Sequence, residues 1–103
     1  MTQRKLLFIV NPRAGRSKSR SPLFDAISVF SEAGYLTSLH KTSAPGDASV
    51  TAAREGEEYD LIVAAGGDGT LNEVITGLMR LEKRPPLGYL PQGSTNDFAA
   101  SLQ

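Results

Sequence analysis

Four short apolar runs recur along the chain, and each is followed by turn-forming or polar residues. They lie at residues 5–10, 35–41, 61–65 and 87–90. The first and third are apolar almost throughout, which is typical of strands buried on both faces of a parallel sheet. The second is more polar, and we expect Leu36 and Leu39 to be its contacts with the core. The pattern therefore predicts four strands.

Between these runs, apolar residues recur at the spacing of amphipathic helices. The predicted helices cover residues 22–33, 48–58 and 71–81, and a fourth begins at residue 98. Ser21 and Pro22 suit the N-cap and the first position of the first helix. Asp47 is the predicted N-cap of the second helix, whose weak apolar stripe includes Val50 and Ala53, with Ala52 at its margin. A glycine ends the first helix, and two prolines follow the third.

Strands that alternate with helices imply an α/β domain with a parallel sheet and right-handed crossovers. The length of 103 residues fits one such domain, over residues 1–103. In parallel sheets of this kind, ligands bind beyond the carboxyl ends of the strands. The polar loops at residues 11–17, 42–46, 66–70 and 91–97 all leave those ends. Their shared position predicts a binding site at that edge of the sheet.

The most informative loop is Gly66-Gly67-Asp68-Gly69-Thr70, between the third strand and its helix. Its glycines let the backbone come close to a ligand, and a helix N-terminus offers N–H groups to an anion. Asp68 would repel a polyphosphate unless Mg²⁺, water or a transferable proton stands between them. The loop therefore predicts a nucleotide with magnesium, although it matches neither the Walker A motif nor the Gly-x-Gly-x-x-Gly fingerprint.

Composition narrows the classes of function. The net charge is zero, but residues 1–41 carry +5 and the remainder −5. Four basic residues lie within residues 13–20 without interleaved aromatics, so we expect no nucleic-acid binding. The chain has no cysteine, and its apolar runs are too short for a membrane span or a signal peptide, so we expect a cytoplasmic protein. We expect the lone His40 to be structural or exposed rather than catalytic.

The loop motif Gly66-Gly67-Asp68-Gly69-Thr70, continued by Leu71-Asn72-Glu73, resembles the signature of the diacylglycerol kinase catalytic domain family. That family includes bacterial lipid kinases and sphingosine kinases and, more distantly, NAD kinases. Two further family elements occur in the same order, at residues 11–15 and 91–97, and Thr42 matches a position used near the nucleotide. The resemblance implies a three-layer αβα, Rossmann-like domain with about four mostly parallel strands.

The resemblance also implies an ATP site and a role for Mg²⁺. Ser94 stands where the family has threonine, and its hydroxyl keeps the hydrogen-bonding capacity. Asp68 is the implied catalytic residue, either as a base or as a metal organiser, and Asp68 and Asp97 would hold the metal through water. The implied nucleotide-binding residues are Asn11, Pro12, Arg13, Ala14, Gly15, Thr42, Gly67, Asp68, Gly69, Thr70, Leu71, Asn72, Glu73 and Ser94.

Lipid kinases of this family have a second, β-rich domain that supplies the lipid cleft and further catalytic groups. The chain resembles only the N-terminal, nucleotide-binding half, so we expect nucleotide binding with little or no transfer by these residues alone. The expected partners are a nucleotide, a lipid bound through the second domain, and a membrane touched only transiently; a homo-oligomer is left open. The alternatives are a non-catalytic nucleotide-binding module and an enzyme that acts on NAD or a sugar phosphate.

Overall fold

A computed structural model of the protein describes residues 3–12 and 22–91. Within them the chain alternates strands and helices as the hydrophobic pattern predicts. A short 3-10 turn, Gly56–Glu58, follows the second helix. The strands are β1 (Lys5–Val10), β2 (Leu36–Lys41), β3 (Leu61–Gly66) and β4 (Leu87–Pro91), and the helices are α1 (Pro22–Glu32), α2 (Asp47–Glu55) and α3 (Asp68–Leu78).

The four strands form one parallel sheet in the order β2-β1-β3-β4. The last residue of β1, Val10, lies in register with Lys41 of β2 and Ala65 of β3. The strands therefore end nearly level at one edge. The chain steps from β1 outwards to β2 and then back across to β3, so a crevice opens between the ends of β1 and β3. The predicted α/β fold is confirmed.

The sheet carries helices on both faces, because successive side chains of a strand point to opposite sides. Leu7 and Ile9 of β1 pack in a cluster with α2 and α3. Leu6, Phe8 and Val10 pack in a second cluster with α1. All five side chains are at most 5% exposed. The result is the three-layer arrangement that the family resemblance implies.

Helices α2 and α3 approach each other through small residues. Ala52 of α2 is fully buried, and a Cβ added to Gly77 of α3 would lie 2.9 Å from the Ala52 Cβ and 3.1 Å from the Ala53 backbone nitrogen. It would also collide with the Ser49 carbonyl oxygen. Only glycine fits at position 77 without moving the two helices apart.

Three expected core contacts are wrong. Leu36 and Leu39 are 51% and 45% exposed, because β2 is an edge strand and lacks a neighbour on its outer side. Val50 is 55% exposed, because α2 turns its small residues Ala48 and Ala52 towards the sheet instead. In β2 and α2, therefore, the positions of the large apolar side chains do not indicate which face is buried.

Several predicted boundaries also differ. Helix α2 ends at Glu55 and α3 at Leu78, three residues earlier than expected in each case. Helix α3 begins within the glycine loop, at Asp68. Asp47 is the first helical residue of α2 rather than its N-cap, because its carboxylate folds back onto Ser43. The predicted Ser21 cap and the helix from residue 98 lie outside the described residues.

Replacing Gly77 by alanine should destabilise the fold by about 1–3 kcal/mol, although alanine is the better helix former, because the methyl group overpacks the α2–α3 contact. Urea unfolding followed by circular dichroism measures the loss. Gly88→Ala is the control, since a Cβ at Gly88 would sit 3.5 Å from Val63 Cγ2, an ordinary contact. Equal stability of Gly77→Ala and the wild type would contradict the close approach of the helices.

Candidate functional site

A cavity of about 440 Å³ opens at the carboxyl edge of the sheet. Its size falls within the usual range for small-molecule sites. One wall is the end of β1, a second is the loop between β2 and α2, and a third is the first two turns of α3. The lining residues are Asn11, Pro12, Thr42, Ser43, Ala44, Pro45, Ala48, Gly69, Thr70 and Glu73.

The turn from β3 into α3 depends on Gly66. Its φ of +156° is one that side chains rarely adopt. A Cβ there would lie 2.7 Å from Thr70 Oγ1 and 3.2 Å from the Asn11 Cβ. Thr70 itself is only 6% exposed. Gly66 is therefore required by packing, and it brings the start of α3 directly against the end of β1.

Gly67 and Gly69 differ from Gly66 both in their backbone φ angle and in the space available for a Cβ. Neither has a positive φ, and a Cβ added to either would meet no heavy atom within 4 Å. The fold therefore does not require glycine at these two positions. Gly67 precedes α3 in an extended conformation and provides no side-chain cap for the first-turn N–H groups. The open space and the uncapped helix end together form a place where an anionic group can approach the backbone.

Asp68 and Tyr89 meet beside this turn. Asp68 is exposed at the first position of α3. The Tyr89 hydroxyl donates a hydrogen bond to the Gly66 carbonyl oxygen at 3.2 Å and lies 3.5 Å from Asp68 Oδ1. Burial, and to a lesser extent the negative charge of Asp68, raises the pKa of Tyr89. The phenol therefore stays protonated at neutral pH and continues to donate.

The loop of residues 42–46 is hydrogen-bonded to β1 at its first residue and to α3 at its last. The Thr42 N–H donates to the Val10 carbonyl oxygen at 2.8 Å. At the other end of the loop, the Gly46 N–H donates to both carboxylate oxygens of Glu73, at 3.1 and 3.2 Å. Glu73 thus contributes to the cavity wall and ties α3 to the loop at the same time.

Asp47 holds the middle of the same loop. Its Oδ2 accepts hydrogen bonds from the Ser43 N–H at 2.7 Å and the Ser43 hydroxyl at 3.2 Å. Its Oδ1 accepts from the Thr51 hydroxyl at 3.0 Å and lies 3.1 Å from His40 Nε2. Above all the backbone hydrogen bond from Ser43, with help from His40 and Thr51, lowers the pKa of Asp47 from 3.8 to about 2 despite its partial burial. The contacts of His40 agree with the structural role expected for it.

The structure brings together many of the predicted nucleotide-binding residues. Those at the cavity are Asn11, Pro12, Thr42, Gly69, Thr70 and Glu73, with Gly67 and Asp68 in the adjoining turn. Leu71 packs against the core and Asn72 is exposed, and neither lines the cavity. Five predicted positions lie outside the described residues: Arg13, Ala14, Gly15, Ser94 and Asp97.

Sequence reasoning missed Ser43, Ala44, Pro45 and Ala48 as lining residues and Tyr89 as a partner of the turn. The position of the loop of residues 42–46 after a strand end places it at the predicted site, but that position does not show which of its side chains line the cavity. For the metal, the described part of the chain contains no group of three or more His, Cys, Asp or Glu residues arranged to hold an ion. The role of Asp68 in holding Mg²⁺ stays a prediction.

The sequence model of the diacylglycerol kinase catalytic domain family matches residues 5–103 of this chain. The chain belongs to this family. It is 51% identical over 96 residues to a diacylglycerol kinase of Bacillus subtilis (strain 168), covering 91% of this chain and 31% of that protein. It is 45% identical over 101 residues to a diacylglycerol kinase of Staphylococcus epidermidis (strain ATCC 12228 / FDA PCI 1200), covering 97% and 32%.

Solved structures of the family agree with the fold. A crystal structure of a diacylglycerol kinase from Bacillus anthracis (strain Sterne) superposes with a TM-score of 0.70 at 35% identity, covering 99% of this chain and 38% of that one. A second diacylglycerol kinase structure from the same strain gives a TM-score of 0.79, again at 35% identity, and the match covers 99% of this chain and 35% of that one. The chain spans about a third of the length of the curated relatives it matches. In the ranges 3–12 and 22–91, no helix has the length and apolar character needed to cross a bilayer.

The lowered pKa of Asp47 makes stability depend on acid. Because its folded pKa lies below the unfolded value, the carboxylate contributes its full stabilisation above pH 3.8 and loses it as the pH falls towards 2. Asp47→Asn should cost up to about 2 kcal/mol near neutral pH, less where solvent screens the contacts, and the gap to the wild type should close over that window. Urea unfolding between pH 6 and 2 measures it. A gap that stays constant down to pH 2 would contradict the assigned contacts.

Proposed function

We propose that this chain is the nucleotide-binding part of a lipid kinase, which transfers the γ-phosphate of ATP to the hydroxyl of a diacylglycerol-like lipid with Mg²⁺. The observation that carries the proposal is the pair Gly67 and Gly69, whose backbone is open at the N-terminus of α3 although nothing in the fold requires glycine there. The names of the relatives supply the class of reaction and of acceptor.

In this proposal the phosphates lie at the start of α3. The first-turn N–H groups and the positive end of the helix dipole favour the negative charge, and the missing side chains at Gly67 and Gly69 let it approach. The loop wall of Ala44 and Pro45, with Ala48 below it, offers an apolar surface to the nucleoside. Thr42 and Asn11 provide hydrogen-bonding groups between the start of α3, where the phosphates lie, and the apolar wall that faces the nucleoside.

Asp68 has the charge and the position to hold Mg²⁺ through water, with Asp97 as the second acid. An ion held there would neutralise charge on the phosphates during transfer. Without such a cation the exposed carboxylate of Asp68 would repel the polyphosphate beside it. The hydrogen bond of Tyr89 to the Gly66 carbonyl keeps the turn that carries Asp68 in place. We assign to Asp68 the orientation of metal or water.

We place the contact with lipid, and any transient contact with the membrane, in the part of the longer relatives that this chain does not span. Phosphoryl transfer depends on positioning both substrates together. The residues described here hold only the nucleotide side. The chain alone should therefore bind a nucleotide better than it transfers its phosphate.

Titration calorimetry with ADP and Mg²⁺ tests the proposal. The wild type should bind ADP, and adenosine should bind more weakly, because the phosphates carry the contact with α3. Gly69→Ala should weaken ADP binding by about tenfold or more, because the methyl group enters the space where the anion meets the backbone. Its folding stability should be unchanged or higher by up to about 1 kcal/mol, since alanine is the better helix former.

Thr76→Ala is the matched control. It places alanine at an exposed position of the same helix, two turns from Gly69, and should leave ADP affinity unchanged. Absence of ADP and ATP binding to the folded wild type would overturn the proposed function. Wild-type affinity in Gly69→Ala would show that the anion does not lie at this turn. A longer protein that includes this chain and phosphorylates NAD but not diacylglycerol would overturn the assignment of the acceptor.

A further inference from the structure

The loop of residues 42–46 forms a whole wall of the cavity. Thr42, Ser43, Ala44 and Pro45 all line it. The Thr42 N–H of this loop donates to the Val10 carbonyl oxygen, as in a sheet, but the N–H groups of Ser43 and Gly46 donate to side chains. The shape of the wall depends on the groups that accept its N–H protons.

Two carboxylates from different helices accept those protons. Glu73 of α3 accepts from the Gly46 N–H, and it lines the cavity itself. Asp47 of α2 accepts from the Ser43 N–H at 2.7 Å, and it does not line the cavity. Asp47 also lies outside every motif that carries the family resemblance. The Asp47 side chain therefore reaches the wall through Ser43, to which it bonds at both the N–H and the hydroxyl.

Thr51 and His40 orient the Asp47 carboxylate from the side opposite Ser43. Thr51, one helical turn later, is fully buried and donates to Asp47 Oδ1 at 3.0 Å. His40, near the end of β2, lies 3.1 Å from both Asp47 Oδ1 and the Thr51 hydroxyl oxygen. These contacts fix one carboxylate oxygen and leave the other directed at Ser43. Hydrogen bonds from a backbone N–H to a carboxylate are among the stronger ones in proteins.

We propose that Asp47 is a positioning residue of the nucleotide site: through the Ser43 N–H it holds the wall of residues 42–45 in the geometry that receives the nucleotide, without touching the nucleotide. This inference rests on the proposed function. A wall that is already ordered spares the nucleotide the entropy of ordering it, so loss of the Asp47 carboxylate lowers affinity even in a fully folded protein.

Asp60 provides a matched control. Its carboxylate accepts a hydrogen bond from the Lys5 N–H, also at 2.7 Å. That bond joins the start of β1 to the residue before β3, at the opposite edge of the sheet from the cavity. Asp47→Ala and Asp60→Ala therefore remove the same kind of bond, and only the first removes it from the wall.

The experiment measures the affinity for ADP with Mg²⁺ at pH 7, at a temperature where circular dichroism and urea unfolding show each variant to be folded. Asp47→Ala should bind about tenfold more weakly or worse, and Asp60→Ala should bind like the wild type. Asp47→Asn, whose side-chain carbonyl can still accept from Ser43, should retain most of the affinity. Amide hydrogen exchange in residues 42–46 should speed up in Asp47→Ala and not in Asp60→Ala.

Each other outcome is decisive. Wild-type affinity in Asp47→Ala, or an equal loss in Asp60→Ala, overturns the positioning role and leaves the proposed function intact. Absence of ADP binding to the wild type overturns both. Should Asp47→Ala not fold, Thr51→Val replaces it: this change removes the hydroxyl that aims the carboxylate and should lower affinity severalfold, whereas unchanged affinity overturns the inference.

Discussion

The close approach of Gly66 to Thr70 and Asn11 determines where α3 begins relative to β1. Because the parallel strands end nearly level, this contact brings the first turn of α3 to the crevice between the ends of β1 and β3. A side chain at Gly66 would push the helix away from β1 and open the cavity. The exposed N–H groups of the first turn of α3 and the placement of Asp68 follow from this placement of the helix.

Among the described residues, the glycines divide into those the fold needs and those it does not. Gly66 and Gly77 are enclosed, and a Cβ at either would collide with neighbouring atoms. Gly67 and Gly69 have open space and ordinary φ values. Alanine is the better helix former, so glycine at position 69 without a packing reason supports the proposed contact of the backbone with an anion. Spacing along the sequence does not distinguish the two kinds, whereas the geometry does.

The sequence predicted the elements and the parallel sheet because apolar runs and helical spacing are local signals. It could not predict that β2 lies at the edge, since strand order arises from long-range pairing, and Leu36 and Leu39 were misplaced for that reason. The strand-end loops pointed to the cavity at the carboxyl edge because parallel topology gathers such loops at one edge. The contacts of Asp47 and Tyr89 could not be read, since a carboxylate or phenol gives no local sign of which N–H or carbonyl group it will meet.

The two helices that border the cavity are held at different ends by different means. One helical turn from the lining residues, Gly77 packs against Ser49 and Ala52 and brings α2 and α3 into close contact, and little adjustment is possible there. At the cavity itself, the bond between the Gly46 N–H and Glu73 links α3 to the loop that precedes α2. Rigid packing sets the angle between the helices, and the carboxylates set the final position of the wall. The cavity therefore takes its overall width from the small residues of the core and its local shape from Glu73 and Asp47.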